Sequence, residues 1–139
     1  MDKEFTVSRR VQFCETDLAG VLHFSNYYRL MEEAECAFWR AQGLSVIGSD
    51  GEKAISWPRV SSNCEYYAPA RFEDELEIAL TVVEVSTRSV TYQAEFRCRG
   101  RRIAAGRVTG VCCVTVGNSF EPVAIPARLR EKLEAIRNS

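Results

Sequence analysis

Apolar and polar side chains alternate along FTVSRRVQF, residues 5–13. Phe5, Val7, Val11 and Phe13 take one face, with Arg9 the exception, and Thr6, Ser8, Arg10 and Gln12 take the other. A period of two predicts a half-buried strand. The period changes after Gly20. Tyr27, Leu30, Met31, Ala34, Phe38 and Ala41 recur at steps of three and four, the stripe of an amphipathic helix. Ser25 or Asn26 can cap its start and Gly43 can end it. The stretch IGSDGEK, residues 47–53, reads as flexible. Four more strands are expected: VSSNCEYY (60–67), bounded by Pro58 and Pro69; ELEIALTVVEV (75–85); SVTYQAEFRC (89–98); and RIAAGRVTGVCCVTV (102–116). In the third of these, Val90, Tyr92, Ala94 and Phe96 oppose Thr91, Gln93, Glu95 and Arg97. Turns fall at Arg88–Ser89 and at Arg99–Gly100–Arg101. PARLREKLEAIR (126–137) opens on proline and carries Leu129, Leu133 and Ile136, a short final helix.

Strand, long helix, four strands and short helix make one α+β domain over residues 1–139, with a five-stranded antiparallel sheet against one long helix. One helix cannot cover both faces of such a sheet. Cys36 and Trp39 also lie roughly opposite the helical stripe, at about 100° per residue. Both features predict a second subunit.

Charge narrows the partners. With 18 basic and 19 acidic residues the net charge is -1, which offers no general attraction to nucleic acid or an anionic membrane. MDKEFTVSRR is charged where a signal peptide needs an apolar run, and no segment reaches the roughly 18 apolar residues of a membrane span. A cytoplasmic protein is expected. Its six cysteines (14, 36, 64, 98, 112 and 113) fit reduced, mostly core thiols. They form no C-x-x-C pair, and a lone His23 cannot complete the usual multi-histidine metal set. A Cys14–His23 catalytic pair is disfavoured, because Cys14 follows from strand packing.

The chemistry concentrates in ETDLAGVLHFSNYYRLMEEAE, residues 15–35. Asp17 sits just past the first strand, and Gly20 lets the chain turn towards the helix. The first helical turn leaves backbone N–H groups without partners at the positive end of the macrodipole. Such groups suit a carbonyl oxygen gaining negative charge during acyl transfer, where one donor is worth roughly 3 kcal/mol. A nearby carboxylate could attack the carbon or take a proton from water. Against this stands Asp17 as an ordinary turn residue, His23 as a packed or hydrogen-bonded ring, and Glu32 and Glu33 as solvated helix charges.

FCETDLAGVLHFSNYYRLMEEAECAFWRAQGL resembles the signature of the hotdog-fold acyl-CoA thioesterases of the 4-hydroxybenzoyl-CoA thioesterase type: an acid, then A-G-V, N-Y, and a glutamate on the helix. RVSSNCEYYAPARFEDELEI and TRSVTYQAEF are similar to later family segments, so the likeness covers nearly the whole chain. The resemblance implies a hotdog fold, a sheet wrapped around the long helix, in subunits that pair through their sheets as a homodimer or homotetramer. It implies hydrolysis of an acyl-CoA substrate with no metal and no cofactor, coenzyme A being part of the substrate. Asp17 maps onto the catalytic acid, and the Phe24 amide or its neighbours onto the carbonyl contact. Gly20, Val21, Asn26, Tyr27 and Glu32 match motif positions that shape the pocket or brace the helix. Phe24, Tyr27 and Trp57 suit an apolar acyl group. Arg88 and Ser89 map onto the coenzyme A site, and Arg59, Arg71 and Arg97 are looser basic candidates. His23 and Phe24 depart from the family pattern, which has tyrosine at the first position and histidine or tyrosine at the second, so Phe24 can act only through its backbone. Two other readings compete: a hotdog-fold hydratase or dehydratase using His23 beside Asp17, and a non-catalytic acyl-thioester binding module.

Overall fold

The computed structural model describes residues 4–46, 48–50 and 53–137. Chain order is β1 (Phe5–Arg10), α1 (Asn26–Ala41), β2 (Gly48–Asp50), β3 (Lys53–Ser56), β4 (Arg59–Tyr66), β5 (Glu75–Val85), β6 (Ser89–Cys98), β7 (Arg101–Val111), β8 (Cys113–Val116), β9 (Ser119–Pro122) and α2 (Ala127–Ala135). Five strands form one antiparallel sheet in the order β1-β5-β6-β7-β4. The alternation of β6 comes out as read: Val90, Tyr92, Ala94 and Phe96 are buried against α1 and the neighbouring strands. At the β6–β7 turn Arg99 and Gly100 both take positive φ (52° and 78°), the pairing that suits a tight hairpin.

The α1 stripe packs on this sheet. Tyr27, Leu30, Met31, Ala34 and Phe38 are buried, while Ala41 at the frayed end is exposed. Met31 meets the sheet where it has no side chain: a Cβ at Gly106 would stand 2.8 Å from Met31 Sδ and 2.9 Å from the Asn63 carbonyl oxygen.

Four expectations need correcting. Strand one ends at Arg10, and Phe13–Glu15 form a 3-10 turn whose start is held by the Gln12 N–H donating to Glu15 (2.8 Å). Phe13 therefore leaves the core, 75% exposed and edge-on to Phe72. Within the stretch read as flexible, residues 48–50 and 53 belong to the β2–β3 hairpin, while residues 47, 51 and 52 lie outside the described ones. The long last strand is two strands, broken at Cys112, whose N–H turns to the Arg88 carbonyl (2.7 Å). Its second half joins β2, β3 and β9 in a four-stranded sheet, β2-β3-β8-β9. That second sheet explains the fourth correction. Ile55 and Val114 from it share the core with α1, and Trp57 stacks 6.3 Å from Trp39. Trp39 is only 1% exposed. At Trp39 the helix side taken as a partner surface is covered by the chain itself, while Cys36 stays half-buried beside an open cleft.

Candidate active site

Asp17 and Gly20 make the turn that the spacing suggested. The Gly20 N–H donates to the Asp17 carbonyl (2.9 Å), the Asp17 N–H donates to Val21 O (2.9 Å), and Gly20 sits at φ 78°. The Asp17 carboxylate is fixed by one oxygen, Oδ1, which accepts the N–H groups of Ala19 (2.9 Å) and Val21 (3.3 Å). Among the described residues nothing donates to Oδ2. The turn role is thus real, and it leaves half of the carboxylate free.

From there the chain climbs to α1 under tight control. Val21 bridges to Arg71, and the Leu22 N–H donates to Ala70 O (2.7 Å). Asn26 Nδ2 donates to the Glu15 carbonyl (2.9 Å), tying the helix start to the 3-10 turn. His23, not Ser25, supplies the local brace: its Nδ1 accepts the Ser25 N–H (3.3 Å) and contacts the Ser25 hydroxyl (2.7 Å). An accepting Nδ1 places the proton of the neutral ring on Nε2. The ring lies 4.6 Å from that of Phe24. The N–H groups of Asn26 and Tyr27 already go to the His23 and Phe24 carbonyls (2.9 and 3.3 Å). The Phe24 N–H makes no hydrogen bond among the described residues.

Asp17, Val21, Phe24 and Tyr27 line one open cleft, closed on its far side by Tyr66, Tyr67 and Pro69. Tyr27 is 3% exposed, edge-on to Tyr66 and Phe96. Burial pushes its hydroxyl up to about 12, and burial likewise raises Tyr66 to about 12, so both stay protonated. The Tyr66 hydroxyl donates to the Phe24 carbonyl (3.3 Å), in the Phe24–Ser25 peptide, while the peptide that carries the Phe24 N–H is held by its own carbonyl, that of His23, which accepts the Asn26 N–H (2.9 Å). Tyr66 and Tyr67 were missed in the sequence. The signal was there, an aromatic pair ending a strand just before a proline.

The remaining candidates disperse. Glu32 and Arg59 line a second cavity of about 180 Å³ between α1 and the sheet, together with Glu35, Met31, Leu80 and Tyr92. Trp57 lines neither space and packs on Trp39 instead. Arg71 stands beside the Asp17 turn. Arg97 is occupied by three carboxylates, Glu4, Glu77 and Glu95, at 2.9–3.0 Å, and is no free phosphate ligand. Arg88 and Ser89 lie past the far end of β5, whose 11 residues span roughly 35 Å at about 3.3 Å each. The Ser89 hydroxyl is engaged by Ser86 (2.5 Å). Within one chain the coenzyme A candidates Arg88 and Ser89 cannot serve the Asp17 cleft.

The partner of the candidate Arg59 was not singled out. Glu35, 4% exposed, pairs with Arg59, whose Nη1 donates to Oε2 (3.2 Å) and whose Nη2 donates to Oε1. Burial pushes the Glu35 carboxyl above its ordinary value against the pull of Arg59. A glutamate beside Ala34, on the apolar stripe, was the sequence signal.

An antiparallel sheet around a long helix, with a carboxylate and a free amide at the helix start, defines a hotdog-type α+β thioesterase fold. Residues 11–133 match the thioesterase-like superfamily, and the chain belongs to it. A 1,4-dihydroxy-2-naphthoyl-CoA hydrolase of Synechocystis is 33% identical over 84 residues, 59% of each chain. The acyl-CoA thioesterase YbgC of Haemophilus influenzae is 22% identical over 94% of both chains. Among solved structures, a gentisyl-coenzyme A thioesterase superposes with TM-score 0.79 at 29% identity, covering 91% of this chain and 99% of that one.

Proposed function

We propose that the chain is an acyl-CoA thioesterase that hydrolyses a CoA thioester to a free acid and coenzyme A. One observation carries the reading: Asp17, whose Oδ2 accepts no hydrogen bond among the described residues, and Phe24, whose N–H donates none, line one cleft at the start of α1. The amide, at the positive helix end, polarises the thioester carbonyl, and Asp17 acts on the carbon as nucleophile or on water as general base. The two N–H donors on Oδ1 orient the carboxylate without occupying it. His23 braces the Phe24 peptide, and Tyr27 and Tyr66 wall the acyl path.

The working unit is a dimer in the cytoplasm, joined through the sheet. β4 is an edge strand whose outer side is unpaired and which shows Val60 (63% exposed) and Tyr66 (44%) to solvent. An exposed edge of eight residues is a template for a second strand, and two-fold pairing of one strand with itself is antiparallel.

Asp17→Asn tests the chemistry. Asparagine keeps an Oδ1 acceptor for Ala19 and Val21, so melting and secondary structure should match the parent. Thiol release from a panel of aryl, short, medium and long acyl-CoA substrates should fall by about 10²–10⁴-fold. Undiminished turnover would remove Asp17 from the mechanism.

A further inference from the structure

Arg9 interrupts the apolar face that Phe5 and Val7 begin on β1, and like them it turns towards α1. A guanidinium turned inward must find partners for its charge and for its donors. Arginine has five N–H donors, and here all five are engaged. Nε donates to Glu33 Oε1 (2.8 Å). Nη1 donates to the Arg10 carbonyl (2.6 Å) and to Glu15 Oε1 (3.0 Å). Nη2 donates to Glu15 Oε2 (2.6 Å) and to Glu33 Oε2 (3.1 Å). The Arg9 and Glu15 side chains are only 19% and 12% exposed, so this is no loose surface pair. A planar fork gripping two carboxylates through both oxygens of each fixes the geometry of all three.

Glu15 carries that rigidity towards the proposed chemistry. Its carboxylate also accepts the Gln12 N–H (2.8 Å), which anchors the 3-10 turn. Its carbonyl accepts two donors from the entry to α1, the His23 N–H (2.9 Å) and Asn26 Nδ2 (2.9 Å). The Asn26 N–H in turn holds the His23 carbonyl, on the peptide that carries the Phe24 N–H. In the other direction along the chain, Asp17 follows Glu15 by two residues. Glu33 closes the frame, because it stands on α1 about two helical turns beyond Asn26. The turn is thus bound to α1 at the first residue of the helix and again two turns in, which resists both rolling and sliding of the helix against it.

We propose that Arg9 and Glu15 are positioning residues for the hydrolysis: acting through the Glu15 main chain, they set the separation between the Asp17 carboxylate and the Phe24 amide. This rests on the thioesterase reading. Neither residue lines the cleft, so neither touches the substrate there. The carboxylate and the amide must meet one acyl carbon together. An error in their spacing therefore weakens the transition state while leaving the binding of the ester unchanged.

The assay measures kcat and KM on the acyl-CoA that the full chain hydrolyses fastest, well below the melting midpoint of each variant. Arg9→Lys keeps the charge but loses the planar fork. Its kcat should fall about 10²-fold with KM unchanged, the effect of a misplacement of about 1 Å made away from the chemistry. Glu15→Gln should fall with it. Glu33→Gln leaves the Glu15 arm and the Asn26 tie in place, and should lose much less. Arg97→Lys loosens a three-carboxylate cluster on the opposite face of the sheet and should lower the melting midpoint without lowering kcat. Combining Arg9→Lys with Asn26→Ala should cost less than the two single losses together, because both act through the Glu15 carbonyl. A parent-like kcat in folded Arg9→Lys or Glu15→Gln, or equal losses in Glu15→Gln and Glu33→Gln, overturns the positioning role and leaves the thioesterase reading intact. If Arg9→Lys does not fold, Glu15→Gln decides alone. No hydrolysis of any CoA ester by the full chain overturns both readings.

Discussion

Arg59→Met isolates the buried charge at the polar end of the cavity. The side chain of Glu35 is 6% exposed, and Arg59, at 33%, is its counterion; Glu32 stands 4.0 Å from the same guanidinium. Removing one member of a buried pair costs about 3–5 kcal/mol, because the other charge is left without compensation. Arg59 is partly wet, so the lower end applies, about 3 kcal/mol. At about 2.1 cal/mol/K per residue, 139 residues give an unfolding entropy of roughly 0.29 kcal/mol/K, so Tm should fall by about 10 °C. The pH dependence carries the sign. Burial already holds the Glu35 carboxyl above its ordinary value, and without Arg59 it rises further. A group raised in the folded state favours folding when protonated and loses that contribution as pH rises through its folded value. The deficit of the variant should therefore be full at pH 8 and shrink towards pH 5. Glu35→Gln with Arg59→Met removes both charges and should recover most of the loss. Calorimetry at the two pH values decides. A deficit below about 1 kcal/mol, on the scale of surface pairs, or one equal at pH 8 and pH 5, would refute the buried-charge argument.

Gly106→Ala should cost about 1–3 kcal/mol by overpacking, because Met31 can shift but the Asn63 carbonyl belongs to the sheet; urea unfolding reads it, and an unchanged midpoint refutes the close contact. Arg9 joins Glu15 (2.6 Å) and Glu33 (2.8 Å). Burial alone would raise the Glu15 carboxyl, but Arg9 and the Gln12 N–H hold it below its ordinary value. Its contribution is then full above the unfolded value of about 4.3 and lost as pH falls through the lower folded one. Glu15→Gln should lose about 1 kcal/mol at pH 7 and less by pH 3, and a gap that widens with acid would contradict the sign.

Local periodicity made most of the main sheet legible. β5 and β6 begin and end where the alternation does, and α1 lies within a residue of its cap signals. What escaped were elements too short to carry a period. β2, β3, β8 and β9 have three or four residues each, and their core contribution rests on single side chains such as Ile55 and Val114. Missing them made Trp39 look like a partner surface. At the site, Asp17, Gly20 and Phe24 were legible because turn and helix-start geometry is local. Tyr66, Tyr92 and the Glu35–Arg59 pair were not, because strand register, which no single segment encodes, brings them to the cleft and the cavity.

Asp17 need not be either a turn residue or a reactive one. The two N–H groups on Oδ1 come from Ala19 and Val21, the residues flanking the glycine that makes the turn possible. The turn is therefore the device that holds the carboxylate, and the Asn26 N–H on the His23 carbonyl (2.9 Å) performs the same service for the peptide that carries the Phe24 N–H. Each group of the proposed chemistry is fixed by the half of it that this chemistry does not use. An acyl carbon placed between them needs only a wall for the rest of the acyl group, and the chain's own cleft is open where β4 ends. In the proposed dimer a second strand paired along β4 would stand at that opening.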